Sequence, residues 1–314
     1  MPTVYHWQDT GSPGRSLTGD DLGRLKQILV ACLVTGYAEK PGAGWTVVHD
    51  VANGFSLRNA TGTGIINFYN PLTGTSTRAL RIYLLETATN TSGAILEGDN
   101  RRSGNQATSG FQRIHTFNPL VNGTATLVWT VIADEKTCIL YFAYGNLDTT
   151  GYLGGVLYFG EDQGGRFLCL GGGVAGQDYN IYNKAFMEAY TVLRDPATGL
   201  IISGAGSPAY GVGQDRVTSA TALPAIDPAI PNLFLNRVRW RYGDYCVDYL
   251  RGVLQDEFLM AYGERLSLRM LGLAESADNR GKLITVDGLP LASVRAQGSG
   301  GGPSFFITPH EDYW

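Results

Sequence analysis

The sequence predicts a mainly β protein (α+β), with antiparallel sheets packed in a sandwich-like way, one N-terminal amphipathic helix and extended terminal arms. Three observations carry this expectation. Short apolar or alternating runs recur between clusters of Gly, Asn, Pro and Ser, the spacing of strands and turns. Glycine, at 42 of 314 residues, is about twice as frequent as average usage, and it suits turns and bulges while weakening helices. Helical spacing is clear in one stretch only, where Leu22, Leu25, Ile28, Leu29 and Cys32 fall on one face.

Along the chain, the first 17 residues read as an extended arm or edge strand followed by a loop. Thr18-Gly19-Asp20-Asp21 then resembles a capping box, and the helix near 20–35 ends at Gly36. Residues 45–50 and 55–58 flank Asn53-Gly54, a hairpin signal because Asn-Gly accepts positive φ. Further hairpins are expected from 64–70 with 78–86, from 124–133 with 137–144 around Asp134-Glu135-Lys136, and from 156–160 with 166–170. The polar stretch 87–112 between them reads as a long surface loop. Later strands are expected at 190–194 and 200–203 around a Pro-Gly turn, at 233–240, 247–254 and 265–271, and in a hairpin from 282 to 294. GSGGGP then forms a flexible joint before the aromatic segment SFFITPHEDYW. The organisation is a β-rich domain over 1–162 and a second β-rich region over 163–314 with a flexible C-terminal arm, or else one domain throughout.

Composition narrows the function classes. Net charge is −4 and no run of Lys or Arg exceeds two, so the basic footprint of a direct nucleic-acid binder is missing. The four cysteines are dispersed without a C-x-x-C, three of them in apolar runs, which reads as reduced core thiols. No stretch reads as a signal peptide or as a membrane span, so the expectation is a protein made in the cytoplasm and not anchored in a membrane.

Candidate chemistry is sparse. Gly171-x-Gly173-x-x-Gly176 follows an apolar run and matches a dinucleotide fingerprint, with Asp195 about 20 residues on where a ribose-binding acid would stand. The intervening residues make a poor crossover helix, however, and no strand–helix alternation surrounds them. The histidines His6, His49, His115 and His310 lack metal-ligand spacing. The carboxylate pairs Asp134/Glu135, Glu161/Asp162, Asp256/Glu257 and Glu311/Asp312 are sequence neighbours, which point to opposite faces on a strand, and Asp134/Glu135 reads as a solvated hairpin tip. No residue is therefore nominated as catalytic, cofactor-binding or metal-binding. The nominated contact residues are the terminal aromatics Tyr5, Trp7, Phe305, Phe306, Tyr313 and Trp314. They anchor neighbouring subunits, fold back on their own, or do both at once.

Several segments carry a family resemblance. The start VYHWQDTGSP, the helix LGRLKQILVACLVTGY and the motif Lys40-Pro41-x-x-Gly44-Trp45-Thr46 follow one another as in a family of tailed-bacteriophage virion proteins of unassigned role. Trp129, Ala133, Asp134 and Glu135 resemble that family's W-x-x-x-A-D-E unit, and LYFGED resembles its aromatic-F-G-D segment with Glu161 for Asp. RGVLQDEF resembles an R-G-x-L-P-G segment, with Gln255-Asp256 for Pro-Gly. The resemblance covers most of 1–162 and is thin beyond. It implies a non-enzymatic structural component of the virion, in the tail or baseplate, or alternatively a head decoration protein. Its partners would be other virion proteins and further copies of itself, held by β-strand contacts between subunits and by exchange of the terminal arms. Two other readings remain open: a tail protein that binds host glycans through exposed Tyr and Trp, and an enzyme using a dinucleotide at Gly171–Gly176.

Overall fold

The computed structural model describes residues 1–15, 21–70, 80–93, 95–101, 112–114, 127–144, 154–170, 188–192, 194, 197–200, 209–210, 235–242, 245–256, 281–286, 288–295 and 304–314. The protein is mainly β, and its described strands form three sheets in which all pairing is antiparallel.

The middle sheet has seven strands: β1 (Thr3–His6), β7 (Leu127–Ala133), β8 (Thr137–Tyr144), β9 (Gly154–Glu161), β10 (Phe167–Leu170), β11 (Glu188–Val192) and β12 (Ala209–Tyr210), in that spatial order. An N-terminal sheet orders β2 (Thr46–Val51), β3 (Gly54–Arg58), β4 (Ile65–Tyr69), β5 (Leu80–Leu85) and β6 (Gln112–Ile114). A C-terminal sheet runs β13 (Leu235–Tyr242), β14 (Tyr245–Asp256), β17 (Ser304–Ile307), β16 (Leu289–Arg295) and β15 (Ile284–Val286).

Side-chain alternation sets how the layers stack. Trp129, Val131, Cys138, Leu140, Leu157, Phe159 and Phe167 leave one face of the middle sheet and meet Phe55, Leu57, Phe68 and Leu84 of the N-terminal sheet. Ile132, Ile139, Tyr158 and Leu168 leave the other face and meet Val238, Leu250, Val253, Phe305 and Ile307 of the C-terminal sheet. A sheet covered on both sides has no solvent face for polar residues. That is why LVWTVIA, TCILYFAY and FLCL are near-continuous apolar runs rather than alternating ones.

Helix α1 (Asp21–Leu29) lays Leu22, Leu25, Ile28 and Leu29 into the first of these cores and continues as a π-helical segment, Val30–Thr35. The segment ends at Gly36, whose φ of 74° and tight approach to Pro41 and Gly42 require glycine. The carbonyls of Cys32 and Leu33 are capped by the amides of Ala43 and Trp45, so the K-P-x-x-G-W-T segment closes the helix end.

Three further details bear on these expectations. The terminal segments are extended, but each is paired inside the chain: β1 lies along β7, and β17 lies between β14 and β16. The line between 162 and 163 falls inside the β9–β10 hairpin, where Glu161 faces Phe167, and the second core joins residues from both sides of it. The polar stretch after β5 is not a free loop in its described part. Leu96 is buried against Tyr83, the Tyr83 hydroxyl donates to the Leu96 carbonyl at 2.9 Å, and His49 Nε2 meets the Gly93 carbonyl at 2.8 Å, so the described residues around 93 and 95–97 lie over the outer face of the N-terminal sheet. The glycine fingerprint Gly171–Gly176 with Asp195, the strand at 265–271 and the GSGGGP joint fall outside the described residues.

Candidate functional site

The turn Asp134-Glu135-Lys136 between β7 and β8 is where the three layers are tied together. Asp134 Oδ1 accepts the amides of Lys136 (2.9 Å) and Thr137 (2.8 Å), the usual way an aspartate shapes its own turn. The same carboxylate faces the C-terminal sheet, where the guanidinium of Arg251 on β14 meets it as a fork: Nη1 to Oδ1 at 3.1 Å and Nη2 to Oδ2 at 2.6 Å. Both partners are buried, and Arg251 Nη1 also donates to Thr137 Oγ1 at 2.8 Å. A buried bidentate pair of this kind is geometrically exacting, because either charge left alone there is costly.

Around this pair the C-terminal layer is closed by Trp314. Its ring lies 5.3 Å from the Arg251 guanidinium, and its indole N–H donates to the Thr308 carbonyl at 2.6 Å. Thr308 in turn donates its amide to the Gly252 carbonyl at 2.9 Å. Gly252 has φ 68°, and a Cβ there would fall 2.5 Å from Trp314 Cε2 and 2.7 Å from Cζ2, so the Arg-Gly dipeptide leaves the space that the indole fills.

From the opposite side the N-terminal layer grips the backbone of the same turn. The Trp45 indole donates to the Asp134 carbonyl at 2.8 Å, and the Ala60 amide to the Glu135 carbonyl at 2.9 Å. Trp45 also packs edge-on against Phe159 at 5.3 Å. Beside it, Glu161 at the end of β9 is buried, and its Oε1 accepts from Asn59 Nδ2 (3.1 Å), Thr63 Oγ1 (2.8 Å) and Thr61 Oγ1. Its carbonyl accepts from Thr137 Oγ1 (2.7 Å) and the Tyr158 hydroxyl (2.6 Å). One oxygen of the carboxylate takes all three donors of a single turn, and a shorter aspartate would have to bring that turn closer.

The N-terminal segment joins the same assembly. The Tyr5 hydroxyl donates to the Pro41 carbonyl at 2.6 Å, and Asp9 Oδ2 accepts from Lys40 Nζ (2.5 Å), the Tyr37 hydroxyl (2.8 Å) and the His6 amide (2.7 Å). Burial would raise the Asp9 carboxyl, but these donors and the Lys40 charge outweigh it and hold its pKa below the ordinary value. His6 Nε2 is buried with no hydrogen-bond partner. Burial, with help from the charges of Lys40 and Lys282 and against that of Asp9, pushes its pKa from 6.5 down to about 4.

The sign follows for both groups. A histidine with a depressed folded pKa is fully stabilising above 6.5, and that contribution is lost as pH falls toward about 4. A depressed aspartate contributes above its unfolded value of 3.8 and is lost as pH falls through its folded one. Thermal stability should therefore begin to fall below pH 6.5, and a His6→Asn variant should show a flatter slope between 6.5 and about 4. An unchanged slope would remove His6 from this account.

The nominated terminal aromatics fall into two groups. Tyr5, Phe305 and Phe306 are buried in their own chain's cores, because β1 and β17 are covered on both faces. Trp7, Tyr313 and Trp314 are half-buried: Arg15 stacks over Trp7 at 4.5 Å, and Arg237 lies 5.3 Å from Tyr313. The aromatics thus fold back on their own subunit. Asp134 is likewise no solvated tip, although its neighbour Glu135 is exposed. Sequence reasoning missed the pairing of Asp134 with Arg251 across 117 positions. The available signal was an arginine inside the apolar run YLRGVL, since a buried arginine needs a partner.

Among the described residues no group of three or more His, Cys, Asp or Glu side chains is placed to hold a metal ion, and no helix is long and apolar enough to cross a membrane. No family model, no curated protein and no solved structure matches this chain.

Proposed function

We propose that the chain is a non-enzymatic structural subunit of a tailed-phage virion, seated in the tail or baseplate. One observation carries the reading. The segments that resemble the virion family, some of them more than two hundred positions apart, converge on a single interlayer brace: Trp45 from K-P-x-x-G-W-T, Asp134 and Glu135 from A-D-E, Glu161 from the F-G-D-like segment, and Arg251-Gly252. Their side chains and backbone are engaged in holding layers together, which is what a load-carrying subunit requires of its most characteristic residues.

Contacts between subunits then fall to outer faces and strand edges rather than to exchanged arms. Edge strand β2 exposes Thr46, Val47 and Asp50, and its register shift between Val47 and His49 twists the edge against indiscriminate pairing. An edge of this kind accepts a strand from a defined neighbour through main-chain hydrogen bonds.

The reading is tested by counting the chain in purified particles with isotope-labelled standard peptides. A fixed ratio of a few copies per particle is expected for a tail or baseplate component. Tens or hundreds of copies would move it to the head as a decoration protein, and absence from particles would overturn the virion assignment.

A further inference from the structure

The two outer faces of the three-layer stack carry exposed charges of opposite sign. On the C-terminal sheet, Val238 points into the core, so Arg237 and Arg239 of β13 share the outer face, and both are exposed. Their planes are fixed by neutral groups. Arg239 lies 4.4 Å over the Tyr249 ring and donates from Nη2 to the Tyr249 hydroxyl at 2.6 Å. Arg237 sits between the rings of Tyr249 (6.0 Å) and Tyr313 (5.3 Å), and its Nη2 donates to the carbonyl of Asp312. The Asp312 carboxylate itself lies 3.6 Å from His310. Neither guanidinium has a carboxylate partner among the described residues.

On the far side of the stack, the segment over the N-terminal sheet presents Glu97 and Asp99, both exposed and also two residues apart. They too are oriented by neutral donors. Asn90 Nδ2 donates to Glu97 Oε2 at 3.2 Å, and Thr87 Oγ1 to Asp99 Oδ2 at 2.5 Å. The nearby Glu86 is paired with Arg194 at 2.5 Å, whereas Glu97 and Asp99 form no ion pair with a described residue, the neighbouring Arg101 lying instead over the Tyr83 ring at 4.9 Å. Two guanidinium forks and two carboxylates presented on outer faces in this way can meet pairwise.

We infer that Arg237 and Arg239 of one copy receive Glu97 and Asp99 of another, giving a head-to-tail contact between outer faces. This deepens the virion reading by naming a contact between copies. The two patches lie on different surfaces, so the contact is heterologous and repeats from copy to copy as a ring or a stack instead of closing as a two-fold dimer. Tyrosine-held guanidinium groups lose little side-chain freedom when they pair, and charges on a wet surface also select against wrong neighbours.

Sedimentation of the full chain over a wide concentration range tests the contact. Wild-type chain should self-associate, less so as salt is raised. The variants Arg237→Glu/Arg239→Glu and Glu97→Arg/Asp99→Arg should each associate about a hundredfold more weakly, because like charges then face each other. Mixed in equal amounts, the two variants should regain wild-type association, since every junction between unlike copies is again complementary. Both alter exposed side chains, so unchanged thermal unfolding confirms that each is folded. A wild-type chain that stays monomeric throughout, an association that ignores both reversals, or a mixture that fails to recover would each overturn the contact. Failure here is separable from failure of the virion reading. A self-associating chain absent from particles sinks the latter, and a particle component indifferent to both reversals sinks the former.

Discussion

Replacing Arg251 with methionine should lower the stability of the chain by about 3–5 kcal/mol, the usual consequence of removing one partner from a buried ion pair. Methionine keeps much of the apolar stem but leaves the Asp134 carboxylate, only 7% exposed, facing an uncharged neighbour. Two amides of its own turn still reach Asp134 Oδ1, but Oδ2 loses the Arg251 donor at 2.6 Å. Trp314 simultaneously loses the cation beneath its ring. Chemical denaturation of wild type, Arg251→Met, Asp134→Asn and the double variant resolves the pair. The double variant should cost clearly less than the sum of the two single ones, because each single change strands the partner that the other removes. Losses below about 1 kcal/mol, or strict additivity, would mean that the pair is not coupled in this way.

The second large effect is expected at Gly160. Its φ is 120°, and a Cβ at this position would lie 2.7 Å from Thr137 Cα and closer still to the Lys136 carbonyl oxygen. Both are backbone atoms that cannot turn aside, and the Glu161 amide donates to that same carbonyl at 3.2 Å. Gly160→Ala should therefore cost about 3 kcal/mol or more, combining an unfavourable backbone conformation with displacement of the turn that carries Asp134. Gly288 supplies the control. It has φ 84°, and among the described residues nothing lies within 4 Å of the place a methyl group would take, so alanine there meets the conformational cost alone, about 1–2 kcal/mol. Equal losses at the two glycines in denaturant melts would contradict the close approach at Gly160.

Much of the fold was legible because its strands announce themselves locally. Asn53-Gly54, Asp134-Glu135-Lys136 and the apolar runs on either side of them each specify a hairpin within about twenty residues, and the helix is marked by Leu22, Leu25, Ile28 and Leu29 as well as by its stop at Gly36. The layer order was not legible, because it depends on which faces meet across long separations. Continuous apolar strands such as TCILYFAY do signal burial on both sides, but they do not say by what. The packing of the terminal aromatics was not legible for a related reason. Phe305 and Phe306 follow a glycine-rich stretch that reads as a joint, whereas β17 gains its place from partners at 253–254 and 292–295. The candidate site was half visible. Trp45, Asp134, Glu161 and Arg251-Gly252 each stood out within a segment, but their convergence is a property of three sheets and of contacts spanning 89 to 117 positions.

This brace should make the three layers one cooperative unit. Hydrogen exchange of wild type and Arg251→Met, followed by mass spectrometry, tests it most directly. The slowest amides of β7, β8, β9, β14 and β17 should open at a common free energy in wild type, and all should fall together in the variant. Loss of protection confined to β14 and β17, with β7 to β9 and the segment around Trp45 unchanged, would show that the C-terminal layer unfolds on its own and that the pair does not couple the layers.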